Sequence, residues 1–102
     1  MADNSSLQSW IELEDTGKIL RIQPMASSKQ SRSVQYELIV NTLAGSGSNR
    51  TRQQGHAVID PEGAVLSTSS VSLPNGARYE ITLTVTDSES GEKTQVTRIF
   101  SE

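Results

Sequence analysis

Tyr79, Ile81, Leu83 and Val85 occupy every second position of the stretch Arg78–Asp87, with Glu80, Thr82, Thr84 and Thr86 between them. A period of two sends the first set to one face of a strand and the second set to the other. Six of the ten positions are β-branched or aromatic, and turn residues bound the stretch: Pro74-Asn75-Gly76 before it, Asp87-Ser88-Glu89-Ser90-Gly91 after it. The pattern predicts a central strand of an antiparallel sheet with one buried face. Tyr79 sits just past the first turn, where its hydroxyl is placed to bond the backbone of the preceding loop as a tyrosine corner.

The other segments follow the same logic. Ile11 and Leu13 alternate with Trp10, Glu12 and Glu14, Asp15-Thr16-Gly17 makes a turn, and Lys18–Gln23 returns with Ile19, Leu20 and Ile22. Pro24, which has no N–H to donate, is expected to end that strand. Ala26–Ser33 reads as a serine-rich basic loop. Val34, Tyr36, Leu38 and Val40 define a second strong strand over Val34–Leu43, and Ala44–Ser48 reads as a flexible loop. Asn49–Gln54 has no large apolar residue, so it is an edge strand or a loop, followed by a short half-apolar His56–Ile59.

Asp60-Pro61-Glu62-Gly63 signals a turn. Val65–Leu73 is strand-like, but its apolar residues slip in phase between Leu66 and Val71; a bulge or a later start would reconcile them. In the last strand, Lys93–Phe100, Val96 and Phe100 share a side with Arg98, a conflict the pattern leaves open. Helical periodicity is missing throughout. Six or seven short strands within 102 residues predict an all-β fold, an immunoglobulin-like antiparallel β-sandwich of about seven strands over residues 8–102, with residues 1–7 as a disordered tail. A small barrel is the alternative.

Composition narrows the function. Without cysteine there is no disulfide, thiolate metal site or thiol chemistry. His56 is the only histidine, and neither a nucleophile elbow nor an HExxH motif accompanies it. Asp60 and Glu62 resemble calcium ligands but lack the acidic repeat of such loops. Asn4-Ser5-Ser6 and Asn49-Arg50-Thr51 match the glycosylation sequon, which is short enough to arise by chance. The chain is therefore expected not to be an enzyme and to need no cofactor or metal. Four aromatics and a net charge of −3 argue against nucleic-acid binding, and no apolar run reaches membrane-spanning length. Met1–Ser6 has no signal-peptide character, so Met1 opens either a mature exported chain or a cytosolic one.

The charge is unevenly distributed. Residues 1–15 carry −4, residues 16–59 carry +5 and residues 60–102 carry −4. This order predicts a basic face, or an ordinary mixed surface if folding intermixes the segments. Lys18, Arg21, Arg50 and Arg52 are the residues expected to form the basic surface. Lys93, in the acidic third segment, is expected outside it. Arg50 and Arg52 lie two apart, so in a strand they share a face with Gln54. Charges on an edge strand also serve to prevent edge-to-edge aggregation.

Taken in order, the chain resembles the CsgC/CsgH-like periplasmic inhibitors of curli amyloid assembly. The resemblance rests on Trp10-Ile11-Glu12-Leu13, on Ser33–Val40, on the Gly/Ser loop running into Thr51-Arg52-Gln53-Gln54-Gly55, on Leu66–Leu73 and on the Arg78–Asp87 strand. It covers residues 8–100 and is similar more to the CsgH branch, because Val34 and Tyr36 stand where the CsgC branch carries a Cys-x-Cys pair. It implies a monomeric immunoglobulin-like domain in the periplasm, its signal peptide removed, that keeps the unfolded curli subunit from polymerising, without ATP. A second resemblance links Tyr79–Asp87 to the late strand of PKD and fibronectin-type modules and implies a spacer or adhesion module.

Overall fold

The computed structural model describes residues 7–44, 47–72 and 76–101. It has eight strands: β1 (Gln8–Asp15), β2 (Ile19–Ser27), β3 (Arg32–Ala44), β4 (Gly47–Ile59), β5 (Ala64–Val65), β6 (Ser69–Ser72), β7 (Arg78–Asp87) and β8 (Lys93–Ser101). One sheet holds β1, β2, β5 and β6, with β5 and β6 sharing the same neighbour, β2. The other runs β4-β3-β7-β8, and all pairings are antiparallel. Two facing sheets make this a β-sandwich rather than a barrel.

Alternation builds the core. From the first sheet Ile11, Leu20, Ile22 and Ala26 point inward; from the second come Val34, Leu38, Val40, Tyr79, Ile81, Leu83 and Val85, all buried. Burial of these side chains is the main favourable term in a domain with no covalent cross-link. Tyr79 is 2 % exposed, and its hydroxyl donates to the carbonyl of Ser72 across the β6–β7 connection, the corner that the sequence predicts. Leu7, the last residue of the tail assigned to residues 1–7, is buried against this core. The rest of that tail, the loop tip Gly45-Ser46 and Leu73-Pro74-Asn75 lie outside the described residues.

Several boundaries differ from the sequence reading, each for a physical reason. Pro24 does not end β2; it is buried and lies opposite Ile11 in an unbroken ladder. Its carbonyl accepts from the Leu66 N–H at 2.8 Å, so its N–H-less nitrogen faces the gap between β5 and β6, where no ladder bond is required. The same gap resolves the phase slip. Between Met25↔Val65 and Ile22↔Ser69, β2 advances three residues and its partner four. The extra residue lets Leu66 and Val71 both face the core, as a bulge would. The expected single strand Val65–Leu73 is thus split, giving eight strands rather than seven.

The proposed loop Ala26–Ser33 shrinks to Ser28–Ser31, because Ala26 is fully buried in β2 and Arg32 already pairs in β3. Asn49–Gln54 and His56–Ile59 are one strand, β4, with thirteen consecutive pairs to β3. It continues through Gly55, whose absent side chain makes room for Tyr36: a Cβ there would lie 2.6 Å from the Tyr36 hydroxyl. An aromatic ring covering a cross-strand glycine restores packing that glycine cannot supply.

Turns are fixed by side-chain caps. Asp15 Oδ1 accepts the Gly17 N–H at 2.7 Å, and Asp60 Oδ1 accepts the Glu62 N–H at 3.0 Å. Asp60 and Glu62 thus shape a turn. Among the described residues no group of three or more His, Cys, Asp or Glu is placed to hold a metal ion, and no helix is long and apolar enough to cross a membrane.

Candidate functional site

The outer face of the β4-β3-β7-β8 sheet is a set of cross-strand rows. Register places Arg50, Asn41, Glu80 and Ile99 in one row, and Arg52, Ile39, Thr82 and Thr97 in the next. Then come Gln54, Glu37, Thr84 and Gln95, followed by His56, Gln35, Thr86 and Lys93. The face is dominated by amides and hydroxyls that bond along the rows. Thr82 and Thr97 hydroxyls are 3.2 Å apart, Gln95 Nε2 donates to Thr84 Oγ1 at 3.0 Å, and Gln54 Nε2 donates to Glu37 Oε2 at 3.1 Å.

Its charge is positive. Arg50, Arg52, Arg78 and Lys93 face outward here against Glu37 and Glu80. Arg52 Nε lies 3.2 Å from Glu37 Oε2, with Arg52 still 58 % exposed. Arg50, Arg78 and Lys93 have no ion-pair partner among the described residues. Such unanswered exposed cations are available to a mobile partner.

Of the four residues expected to form one basic surface, the structure joins only two. Arg50 and Arg52 share the outer face of β4. Arg21 projects from the outer face of the opposite sheet, pairs with Glu14 at 3.1 Å and has Glu12 nearby on β1. Lys18 lies in the β1–β2 turn. The middle segment is divided because β2 and β4 belong to different sheets. Lys93, expected outside the basic surface, lies on the Arg50 face, and so does Arg78. For Arg78 the parity of the β7 strand, shared with Glu80 and Thr82, already carried that signal. For Lys93 the missing information was that β8 adds to the same sheet as β4.

Arg98 shares the side of Val96 and Phe100 yet stays exposed, because it lies at the rim of the sandwich and its Nη1 donates to the Ile11 carbonyl of β1 at 2.9 Å. His56 is an exposed β4 residue beside Gln35, without a metal-binding group around it. At the end of the sandwich, Arg32 Nη1 contacts Asp87 Oδ2 at 2.8 Å and Glu92 Oε1 at 3.2 Å. The Asp87 carboxyl is held below its ordinary pKa by the backbone N–H groups of Ser90 and Glu89, and secondarily by Arg32, against an opposing effect of burial. This cluster fixes the β7–β8 turn.

These features define an all-β sandwich of immunoglobulin type with one polar, cationic sheet face. No protein-family model matches the chain, and no curated protein sequence matches it. Two of the solved structures that are similar in fold show the likeness. One is the solution structure of R. palustris CsgH: TM-score 0.73 and 18 % identity over 89 % of this chain and 89 % of that one. The other is E. coli curli protein CsgC: TM-score 0.71 and 20 % identity over 93 % of this chain and 98 % of that one. The chain therefore has the CsgC/CsgH-like fold that the sequence resemblance predicts.

Proposed function

We propose that this protein has a role in curli assembly, as a periplasmic chaperone-like inhibitor that keeps an unfolded amyloidogenic curli subunit from premature polymerisation. The single observation that supports it best is the grouping of Arg50, Arg52, Arg78 and Lys93 on one amide- and hydroxyl-rich sheet face of a CsgC/CsgH-like fold. Amyloid grows by adding strands that pair every backbone group along the fibril. A folded domain with an exposed cationic face meets an unfolded acidic or amide-rich chain through weak, charge-guided and repeated contacts. The proposed action is binding by a monomer, without catalysis, nucleotide or metal.

The test is a thioflavin time course of the curli major subunit with substoichiometric amounts of this protein. The reading predicts a longer lag while the protein stays folded and monomeric. A lag unchanged at equimolar protein would favour a spacer or adhesion module.

A further inference from the structure

We infer that the free edge of β4 is a docking strand for an extended acidic, amide-rich segment, which adds to the sheet beside β4 through backbone hydrogen bonds. This deepens the proposed function by giving the mode of client contact.

The four sheet edges differ in how they are guarded. β5 and β6 are two and four residues long and interrupted. On β1 the edge carbonyl of Ile11 is taken by Arg98, and Ser9 Oγ bonds Thr94 Oγ1 at 3.0 Å. β8 carries that same Arg98 on the side of Val96 and Phe100, exposed at the rim and reaching over to β1. Short edges, inward charges and covered edges are the usual defences against strand addition. β4 is neither short nor marked by an inward charge, and its tie to the opposite sheet, Gln53 to Ser69 and Ser67, uses a side chain and leaves the edge backbone groups free of side-chain cover among the described residues. It is thirteen residues long, without proline or acid, and its register runs through thirteen pairs with no bulge.

The polarity of that edge follows from the ladder. The Ser33 carbonyl accepts from the Ser88 N–H, on the β7 side of β3. Backbone groups alternate sides along a strand, so those of Val34, Tyr36, Leu38 and Val40 turn to β4. Their partners Ala57, Gly55, Gln53 and Thr51 are thereby engaged. The N–H and C=O groups of Arg50, Arg52, Gln54, His56 and Val58 face the open edge, and no other strand pairs them among the described residues.

Side chains select what adds there. On the outer face an incoming strand continues rows that end in Arg50, Arg52 and Gln54, which suit carboxylates and amides. On the inner side it meets Thr51 and Gln53; the Gln53 amide already bonds Ser69 Oγ at 2.8 Å, so that rim is polar. A second copy of β4 is a poor occupant, since it brings the same arginines and no acid. Exposed arginines therefore discourage cationic or self addition while admitting an acidic strand, the mode of peptide recognition known as β-augmentation.

The test is amide hydrogen exchange of the isotopically labelled full chain, with and without an unstructured Glu-, Gln- and Asn-rich peptide of about ten residues, a length matched to the edge. Docking predicts that the Arg50, Arg52, Gln54 and His56 amides gain protection, whereas those of Thr51 and Gln53 change little. Protection that depends on protein concentration without peptide would replace the peptide by a second copy. Peptide-induced shifts without edge protection would overturn strand addition. A second variant separates edge from charge. Gln54→Pro keeps every arginine and the β3–β4 ladder but removes an edge donor, and it is expected to weaken peptide binding about tenfold. A folded Gln54→Pro protein that binds peptide like wild type removes the edge. If it also delays subunit polymerisation like wild type, the edge fails while the proposed function stands. Absence of delay by wild type sinks the function and leaves the peptide experiment intact.

Discussion

Arg98, on the last strand, donates its Nη1 hydrogen to the backbone carbonyl of Ile11, on the first strand, at 2.9 Å. The bond joins the two sheets along one side of the sandwich and occupies an acceptor that would otherwise lie at the β1 edge. One side chain ties the β1 edge to β8.

Replacing it gives the first prediction. Arg98→Met keeps the apolar stem and removes the donor, so stability is expected to fall by about 1 kcal/mol. Loss of soluble monomer on storage is expected to exceed what that modest change explains, because β1 and β8 lose their guard. Urea unfolding and size-exclusion profiles measure the two effects separately.

Tyr79→Phe removes the corner hydroxyl and leaves the ring in place. The Ser72 carbonyl then loses this donor. An expected cost of about 1–3 kcal/mol follows for an acceptor cut off from its partner beside the core. Denaturation midpoints of the two proteins, with unchanged slope, provide the check.

Leu83 is fully buried, and Thr84 faces outward beside Gln95. Leu83→Ala is expected to cost about 2–5 kcal/mol through lost transfer energy and a cavity. Thr84→Ala is expected to stay within about 0.5 kcal/mol. Equal effects at the two positions would contradict the facing of β7.

Most of this facing was legible in the sequence. The alternation of Tyr79, Ile81, Leu83 and Val85 fixed an inward side because period-two burial leaves no other choice, and the turns at Asp15, Asp60 and Asp87 announced themselves by residues that cap their own backbone. Two kinds of information were not local. The continuation of β2 through Pro24 depends on a gap in a neighbour more than forty residues later, and strand propensity cannot register a missing neighbour. The membership of the cationic face depends on which strands share a sheet. Arg21 and Arg50 lie in the same basic segment of the chain, yet β2 and β4 fall in opposite sheets, so charge counted along the sequence joined residues that the fold separates. Lys93 was excluded by the same counting and is returned to the face by the β7–β8 pairing.

Acid dependence is expected to centre on Asp87. Its carboxyl accepts the Glu89 and Ser90 N–H groups at 2.7 and 3.0 Å and meets Arg32. Its pKa in the folded protein is lowered from the ordinary value of 3.8. A depressed folded pKa stabilises the fold above the unfolded value and loses that contribution as pH falls through the folded one. Unfolding free energy should therefore decline below about pH 4, in the carboxylate range. Asp87→Asn should flatten that decline while lowering stability at neutral pH. Denaturation profiles of both proteins from neutral to acid pH test the sign.

In the proposed function one sheet face, rather than basic residues in general, meets the client. The direct measurement is the thioflavin lag of curli subunit with substoichiometric wild type, Arg50→Glu with Arg52→Glu, and Lys18→Glu with Arg21→Glu, at low and physiological salt. Attraction between exposed charges is screened over about 8–10 Å at physiological salt, so the wild-type delay should shrink as salt rises, after correction for the client alone. Reversal on β4 should abolish most of the delay and leave unfolding within about 1 kcal/mol of wild type. Reversal on the opposite sheet and its turn should leave the delay nearly intact. A folded β4 double variant that delays polymerisation fully at low salt would contradict the account.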